Sequence, residues 1–329
     1  MVAHTFAFLM SLTILFSALF SQAEERDQAA RQELDITNSI GMKLVLIPAG
    51  EFMMGSGEPA EELVKAFAAY NRKADYFKDE YPSHRVRITK AFYFGKYEVR
   101  VGDFRRFVNE TGYKTEAETD GTGGWGYNPQ TSRCEGRKPQ FNWLNTGFKQ
   151  TDDHPVVNVT WNDAAAFCQW LSRKEGKTYR LPTEAQWEYA CRAQTATRYN
   201  NGDDPAGLDA AANTLDATGR TTFPHVQEIT ILPGEKAKFT VPVGGKKPNK
   251  FGLFDMHGNV WEWCADWYGA DYYSKSPADD PAGPESGDRR VRRGGGWNSF
   301  PIWARASFRN WNSPQSRCLN LGFRVVREE

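Results

Sequence analysis

Histidine is scarce in this chain: five in 329 residues (His4, His84, His154, His225 and His257), with no HxxxH or comparable ligand spacing among them. A histidine metal motif therefore cannot be read from local sequence. His154 and His257 are expected to be hydrogen-bonded structural residues. Cysteine is equally sparse. Cys134, Cys168, Cys191, Cys264 and Cys318 form no CxxC pair and no zinc-type spacing, so a thiolate metal site is not expected. Net charge is absent, with 41 basic residues against 41 acidic ones. That balance leaves no electrostatic footprint for nucleic acid or an anionic membrane surface. Neither a Ser-His-Asp set nor a phosphate loop can be argued, because the glycines of "RRGGGW" at 292–297 open no helix pattern.

Long apolar runs are missing too, with one exception. Residues 5–20 form an apolar stretch followed by Ser21-Gln22-Ala23, small residues at the two positions a signal peptidase reads. Residues 1–23 are read as a signal peptide, although no Lys or Arg precedes the apolar run. No Cys follows it, so a lipid-attached form is not expected. The reading places the rest of the chain outside the cytoplasm, secreted or periplasmic, with no membrane span after cleavage. In an oxidising compartment, an odd cysteine count leaves at least one thiol unpaired unless chains cross-link.

What the chain has in abundance is aromatic and turn-forming residues: 14% aromatic, with 11 Trp, 29 Gly and 17 Pro. This composition suits a globular protein whose loops are pinned by aromatic side chains, and it argues against disorder. Residues 24–37 are a polar lead-in. "GMKLVLIPAGEFMMGS" reads as two strands around Pro48-Ala49-Gly50, and "HRVRITKAFYFGKYEVR" as a strand pair bent near Gly95. Three amphipathic helices follow. Phe104, Phe107 and Val108 mark the first, with Gly112 as its stop. Thr160 and Asp163 cap the second, which faces Phe167, Trp170 and Leu171 inward and ends at Gly176. Thr183 and Gln186 cap the third, with Trp187, Ala190 and Cys191 inside. The segments 113–156 and 197–250 are turn-rich and too long to stand in a compact domain unless something orders them. No internal repeat and no dividing linker is evident.

"NKFGLFDMHGNVWEWCADWY" at 249–268 is the most specific run. With "YRLPTEAQWEYACRA", "DDHPVVNVTWNDAAAFCQWL" and "NLGFRVVRE" it resembles the formylglycine-generating enzyme family, also called sulfatase-modifying factors. The likeness covers residues 38–328. It implies an α+β fold: a single large domain of C-type-lectin-like type, with low regular secondary structure, short twisted sheets and a few amphipathic helices. Arg100 stands where this family commonly has a threonine cap. Fold alone does not fix function.

Members of that family that oxidise a target cysteine carry a serine and two copper-binding cysteines after the paired glycines. Carried onto "RRGGGWNSFPIWARASFR", those positions hold Gly296, Ser299 and Ala304. Soft thiolates are what a Cu(I) site requires, and a hydroxyl and a methyl do not replace them. Copper is therefore not expected, and no residue is assigned a catalytic role. The resemblance also matches Cys168 and Cys191 to positions that are disulfide-bonded in some members. The partner positions near Arg309 and Val325 hold no cysteine, so both are expected to be buried thiols or to pair differently, and the loop holding Cys134 is the place for a new bridge.

The resemblance further implies two structural calcium ions. One set is Asn259, Glu262 and Asp266; the other joins Asn213 to Glu235, where an Asp is usual. Hard cations take such carboxylate and amide oxygens. Around the missing thiolates, Trp297, Asn298, Ser299, Trp303, Arg305, Arg309 and Asn312, with Asn310 and Trp311 between, mix flat apolar faces with amide and guanidinium donors. Such a set suits a peptide, a glycan or a sulfated group. The reading that results is a secreted sulfatase-modifying-factor-like protein that is not an active copper oxidase. It would bind a peptide, a sulfatase-like protein or a glycan through residues 296–312. The alternatives are an enzyme of sulfatase modification or oxidation with altered chemistry, and a structural envelope protein.

Overall fold

The computed structural model describes residues 35–131, 133–215 and 239–329. The expected signal peptide, most of the polar lead-in, His225 and Glu235 lie outside these residues. In chain order the elements begin with β1 (Ile36–Thr37), β2 (Lys43–Ile47), β3 (Gly50–Met54), α1 (Ala60–Ala66), β4 (His84–Ile88) and β5 (Phe92–Gly95). Next come α2 (Val101–Thr111), α3 (Glu116–Thr119), β6 (Gly124–Asn128), β7 (Arg133–Lys138), α4 (Trp161–Glu175), β8 (Tyr179–Arg180) and α5 (Glu184–Arg192). The chain closes with β9 (Trp261–Trp267), β10 (Arg290–Arg293), β11 (Asn310–Asn312), β12 (Leu321–Phe323) and β13 (Val326–Glu328).

These strands make a five-stranded sheet, β1-β2-β5-β13-β8, and a four-stranded sheet, β11-β10-β9-β12, with two hairpin-sized sheets, β3-β4 and β6-β7. The expected strand pair bent near Gly95 does not form. β4 pairs with β3, whereas β5 lies between β2 and β13, so the break falls at Thr89–Ala91 and the two strands enter different sheets. Alternation identifies a strand but not its partner, which tertiary packing selects. The helix α1 has no counterpart in the sequence reading.

The three capped helices form where expected. Thr160 Oγ1 accepts from Asp163 N, and Asp163 Oδ2 accepts from Thr160 N, closing a reciprocal box at the start of α4. Thr183 and Gln186 repeat it at α5. Each such cap contributes on the order of 1 kcal/mol. At α2 a cation stands at the cap, and Asp103 supplies the box from within, accepting from Arg100 N and Arg100 Nε. Gly112 and Gly176 end α2 and α4 in the left-handed region, at φ 67° and 62°.

Two large cores result. One packs Phe104 and Phe107 of α2 against Phe167 and Trp170 of α4 and against Phe323 of β12. The other lies between β5, α5 and β9. The turn-rich segment 113–156 is ordered by two buried polar side chains. Asn158 bonds Trp125 N and Trp125 O, and Arg317 holds Gly123 O, Asp120 and Thr122.

All five cysteines are free. Cys168 and Cys191 are buried thiols, as the missing partners implied. The expected bridge at Cys134 is absent: this residue pairs with Tyr127 across the β6–β7 hairpin and holds a free thiol. Among the described residues no helix is long and apolar enough to cross a membrane.

Candidate functional site

Past β10 the chain turns through Gly294 and Gly295 at φ 93° and 77°, backbone that side chains with a Cβ rarely adopt. A Cβ on Gly295 would stand 3.3 Å from Ser299 Cβ and 3.4 Å from Ala304 Cβ. The turn thus brings positions 299 and 304 to either side of one glycine. What they present there is inert. Ser299 Oγ accepts a 2.8 Å hydrogen bond from Gly296 N, and the Ala304 methyl packs with Tyr199, Leu208 and Ala212. Both residues are buried.

One thiol lies close by. Cys191 Sγ is 3.6 Å from His257 Nε2, and His257 Nδ1 is 2.7 Å from Ala304 O. Asn200 N donates to His257 Nε2, so Nδ1 carries the proton and donates to the carbonyl. Burial pushes His257 down to about 4 and the Cys191 thiol well up. The pair is therefore a neutral imidazole beside a neutral thiol, not an activated nucleophile. His154 is likewise structural, its Nδ1 accepting from Thr151 N.

Four of the expected ligand-binding residues lie inside the protein. Arg305 makes a two-pronged pair with Glu80, at 2.9 and 2.5 Å. Arg309 does the same with Glu184, at 2.8 Å on both prongs, and caps Asp79 O and Gly269 O. Trp297 Nε1 donates to Leu319 O, and Ser299 is spent on its own turn. These four are corrected from surface donors to framework. Their guanidinium and indole donors answer buried acceptors that lie far away in sequence. Asn298, Trp303 and Asn312 are half-buried and keep a face to solvent. Asn298 Oδ1 accepts from Asn320 Nδ2, and Trp303 Nε1 donates to Tyr76 OH, over whose ring Arg72 lies at 4.8 Å.

Beneath this turn runs a network that the sequence reading did not foresee. Glu184 and Glu188, one helical turn apart on α5, are both fully buried. Arg293 bridges them, Arg309 holds Glu184, and Arg192 holds Glu188, which also accepts from Gly55 N. Burial raises Glu184, but Arg309 and Arg293 more than offset it and hold the carboxyl below its ordinary range. The "EAQWE" spacing of two acids four apart was the available signal.

The residues carried over as calcium ligands do not converge. Glu262 gives both oxygens to Arg324 and one also to Trp187 Nε1. Asp266 lies four residues along β9, beyond a bulge in its pairing with β10, and has partners of its own. It accepts from Glu184 N, and burial with Glu184 nearby pushes it up to about 7. Asn259 and Asn213, assigned to different ions, bond each other, and Asn259 Oδ1 also accepts from Val241 N. Among the described residues no three His, Cys, Asp or Glu side chains stand together as a metal cluster.

Two other carboxylates do have vacant lone pairs. Both oxygens of Glu98 and Oδ1 of Asp255 are buried with no hydrogen-bond partner among the described residues. Glu98 lines a cavity of about 330 Å³ with Tyr97, Arg100 and Asp103. Burial, then the neighbouring Asp255, pushes Glu98 well up; burial pushes Asp255 up to about 6 despite a bond from Gly244 N. An orphaned acidic pair of this kind fits a hard cation, which supplies the missing countercharge.

Comparison with known proteins agrees with this architecture. The profile of the family described as "Sulfatase-modifying factor enzyme 1-like domain" matches residues 32–329. The formylglycine-generating enzyme of Bos taurus is 34% identical, over 87% of this chain and 75% of its own length. The inactive C-alpha-formylglycine-generating enzyme 2 of Mus musculus is 30% identical, over 86% of this chain and 85% of its own. Among solved structures, PvdO from Pseudomonas aeruginosa is 30% identical with a TM-score of 0.68, covering 90% of this chain and 98% of that one.

Proposed function

The chain belongs to the sulfatase-modifying factor family, and on that premise we propose that it binds a peptide or glycan without oxidising it. The observation that carries this reading is the pair of positions flanking Gly295, where Ser299 and Ala304 stand. A hydroxyl already bonded to Gly296 N and a buried methyl give a soft copper ion nothing to hold. That one similar protein is named as inactive supports the same reading.

The binding face in this proposal is the half-buried margin of the turn: Asn298 with Asn320, and Trp303 with Tyr76 and Arg72. Flat rings beside amide and guanidinium donors recognise extended peptides and sugar rings alike, and a sulfatase-like protein is the partner class the family suggests. A cation held at Glu98 and Asp255 would act as a structural brace, not as a catalyst; calcium is the ion proposed. An extracytoplasmic location is part of the proposal and rests on residues 1–23 alone.

The test is direct. The chain is incubated with a CxPxR sulfatase peptide, Cu(I) and oxygen, and the peptide mass is followed. No cysteine-to-formylglycine mass loss above the metal-only background is expected. Titration of the same peptide and of a sulfated oligosaccharide should detect binding to at least one, weakened several-fold by Trp303→Ala. Turnover of the peptide would overturn the reading.

A further inference from the structure

A second, unassigned pocket lies where the two main sheets meet, away from the glycine turn. It is a cavity of about 290 Å³ between one face of α4, the edge strand β8, the middle of β9 and the start of β10. The spacing of Trp161, Ala165 and Gln169 on α4 puts one helical face over it, and Tyr179 and Leu181 form the opposite wall. Two guanidinium groups, Arg180 and Arg290, line it, and no carboxylate does.

Arg290 is the unusual member. Its guanidinium lies 3.4 Å from the ring centre of Trp267 and 3.9 Å from that of Trp161, so both of its flat faces are covered. Nη1 donates to Ala265 O at 2.5 Å, and this fixes the plane. Its Nε is buried with no acceptor, and it forms no ion pair with an Asp or Glu among the described residues. Arg292, two residues along on the same face of β10, also has a buried Nε without an acceptor; it stacks on Trp261 at 4.6 Å. Arg293, Arg305, Arg309 and Arg324 each hold a carboxylate, although Arg293 too has a buried Nε without an acceptor; what sets Arg290 apart from these four is that no carboxylate stands in ion-pair contact with it among the described residues. An immobilised guanidinium with an unmet Nε, walled by rings and sensing Asp266 only at a distance beyond ion-pair contact, is a carboxylate receptor already held in its binding geometry.

We propose that this pocket takes a carboxylate borne on a flat apolar body, with Arg290 as anchor and Arg180 at the entrance. Arg180 is a third exposed and shares its guanidinium among Glu328, Leu181 O and Gln186, so a ligand oxygen replaces an existing partner there. The volume sits at the lower end of small-ligand pockets, about 300–1,000 Å³, and admits one ring with a short acidic arm. Such a group comes from a free aryl acid or from the C-terminus of a peptide ending in an aromatic residue.

Three probes separate these sources: 3-phenylpropionate, N-acetyl-phenylalanine, and N-acetyl-phenylalanine amide, each titrated into the full chain by calorimetry or ligand-observed NMR. Binding of either acid, with the neutral amide weaker by about tenfold or more, is expected. Preference for N-acetyl-phenylalanine assigns the peptide C-terminus; preference for phenylpropionate assigns the free acid. Arg290→Gln should weaken the bound acid by about tenfold or more. Because that change also alters packing between two tryptophans, Ala165→Leu provides an independent check: it fills the cavity, leaves Arg290 in place, and should abolish binding. No acid binding at about 10 mM would overturn the proposal. So would equal binding of acid and amide, or acid binding that Ala165→Leu leaves intact. Peptide turnover at the glycine turn bears on the function above and leaves this pocket untouched.

Discussion

Two groups of buried carboxylates in this fold are treated in opposite ways. Glu184 and Glu188, under the glycine turn, share Arg192, Arg293 and Arg309, and Glu80 beside them takes both prongs of Arg305. Glu98, just after β5, and Asp255, in the turn before β9, have three oxygens with no partner among the described residues, and the arginine that acts on Glu98, Arg324, is committed to Glu262. The carboxylates of both groups are almost fully buried. What differs is the supply of fixed cations. The first group is complete in the protein alone, and the second is complete only with protons or an added cation. A region that is electrostatically closed supports the fold, whereas one left open responds to its surroundings.

The largest effect should come from opening the closed group. Arg305→Met leaves Glu80 buried with Ser307 Oγ as its remaining side-chain donor. Removing one partner of a buried pair costs about 3–5 kcal/mol, so denaturant unfolding should show the midpoint falling sharply or folding failing outright. The double change Arg305→Met with Glu80→Leu should recover much of that loss, because an apolar pair leaves no stranded charge. Failure of the double change to recover would mean that Arg305 supports the turn by packing and not by neutralisation.

How much of this was legible beforehand follows from separation along the chain. Caps, glycine stops and the inward aromatics of α2, α4 and α5 are local patterns, and they read correctly from Thr160, Asp163, Thr183, Gln186, Gly112 and Gly176. The fold class followed from the resemblance of whole motifs, and the sheets and family match agree with it. The role of Arg305 and Arg309 did not read, because their acids lie 225 and 125 residues away and nothing local distinguishes a buried guanidinium from an exposed one. The same reason hid Glu98 and Asp255. Each looks like an ordinary polar residue until β5 and the turn before β9 fold together. At positions 299 and 304 the identities were legible, while their adjacency across Gly295 required the structure.

A mid-sized effect should come from the open group, and its sign is fixed by the shift. The folded carboxyl of Asp255 titrates at about 6 against an ordinary 3.8, so its contribution is fully present below about pH 4 and is lost as pH rises through 6. Relative to Asp255→Asn, the wild-type chain should lose of order 3 kcal/mol between pH 4 and pH 7 in chelator. Glu98→Gln should act in the same direction, since its carboxyl is also raised. Calcium favours the ionised pair, so in its presence the wild-type loss should shrink and the melting temperature should rise with concentration. Melts that are identical with calcium and with chelator would remove the ion, and a wild-type-to-Asn difference that is flat with pH would remove the open group itself.

The smallest effect separates the ion pairs from the helix that carries them. Glu184 opens α5, where Thr183 Oγ1 accepts from Gln186 N, so the cap and the charge network meet within one turn. If the cap positions Glu184, then Thr183→Ala should loosen the Arg309 pair and cost far more than a cap. If the network positions the helix, the loss should be only the cap's own, about 1 kcal/mol. The second outcome is expected, because Glu184 N is separately held by Asp266 Oδ2 at 2.8 Å and Arg293 bridges to Glu188 one turn later. Thermal unfolding of Thr183→Ala, Arg309→Met and the pair together measures the coupling. Additive losses would show that the closed group holds without its cap, and a strong coupling would make the cap part of it.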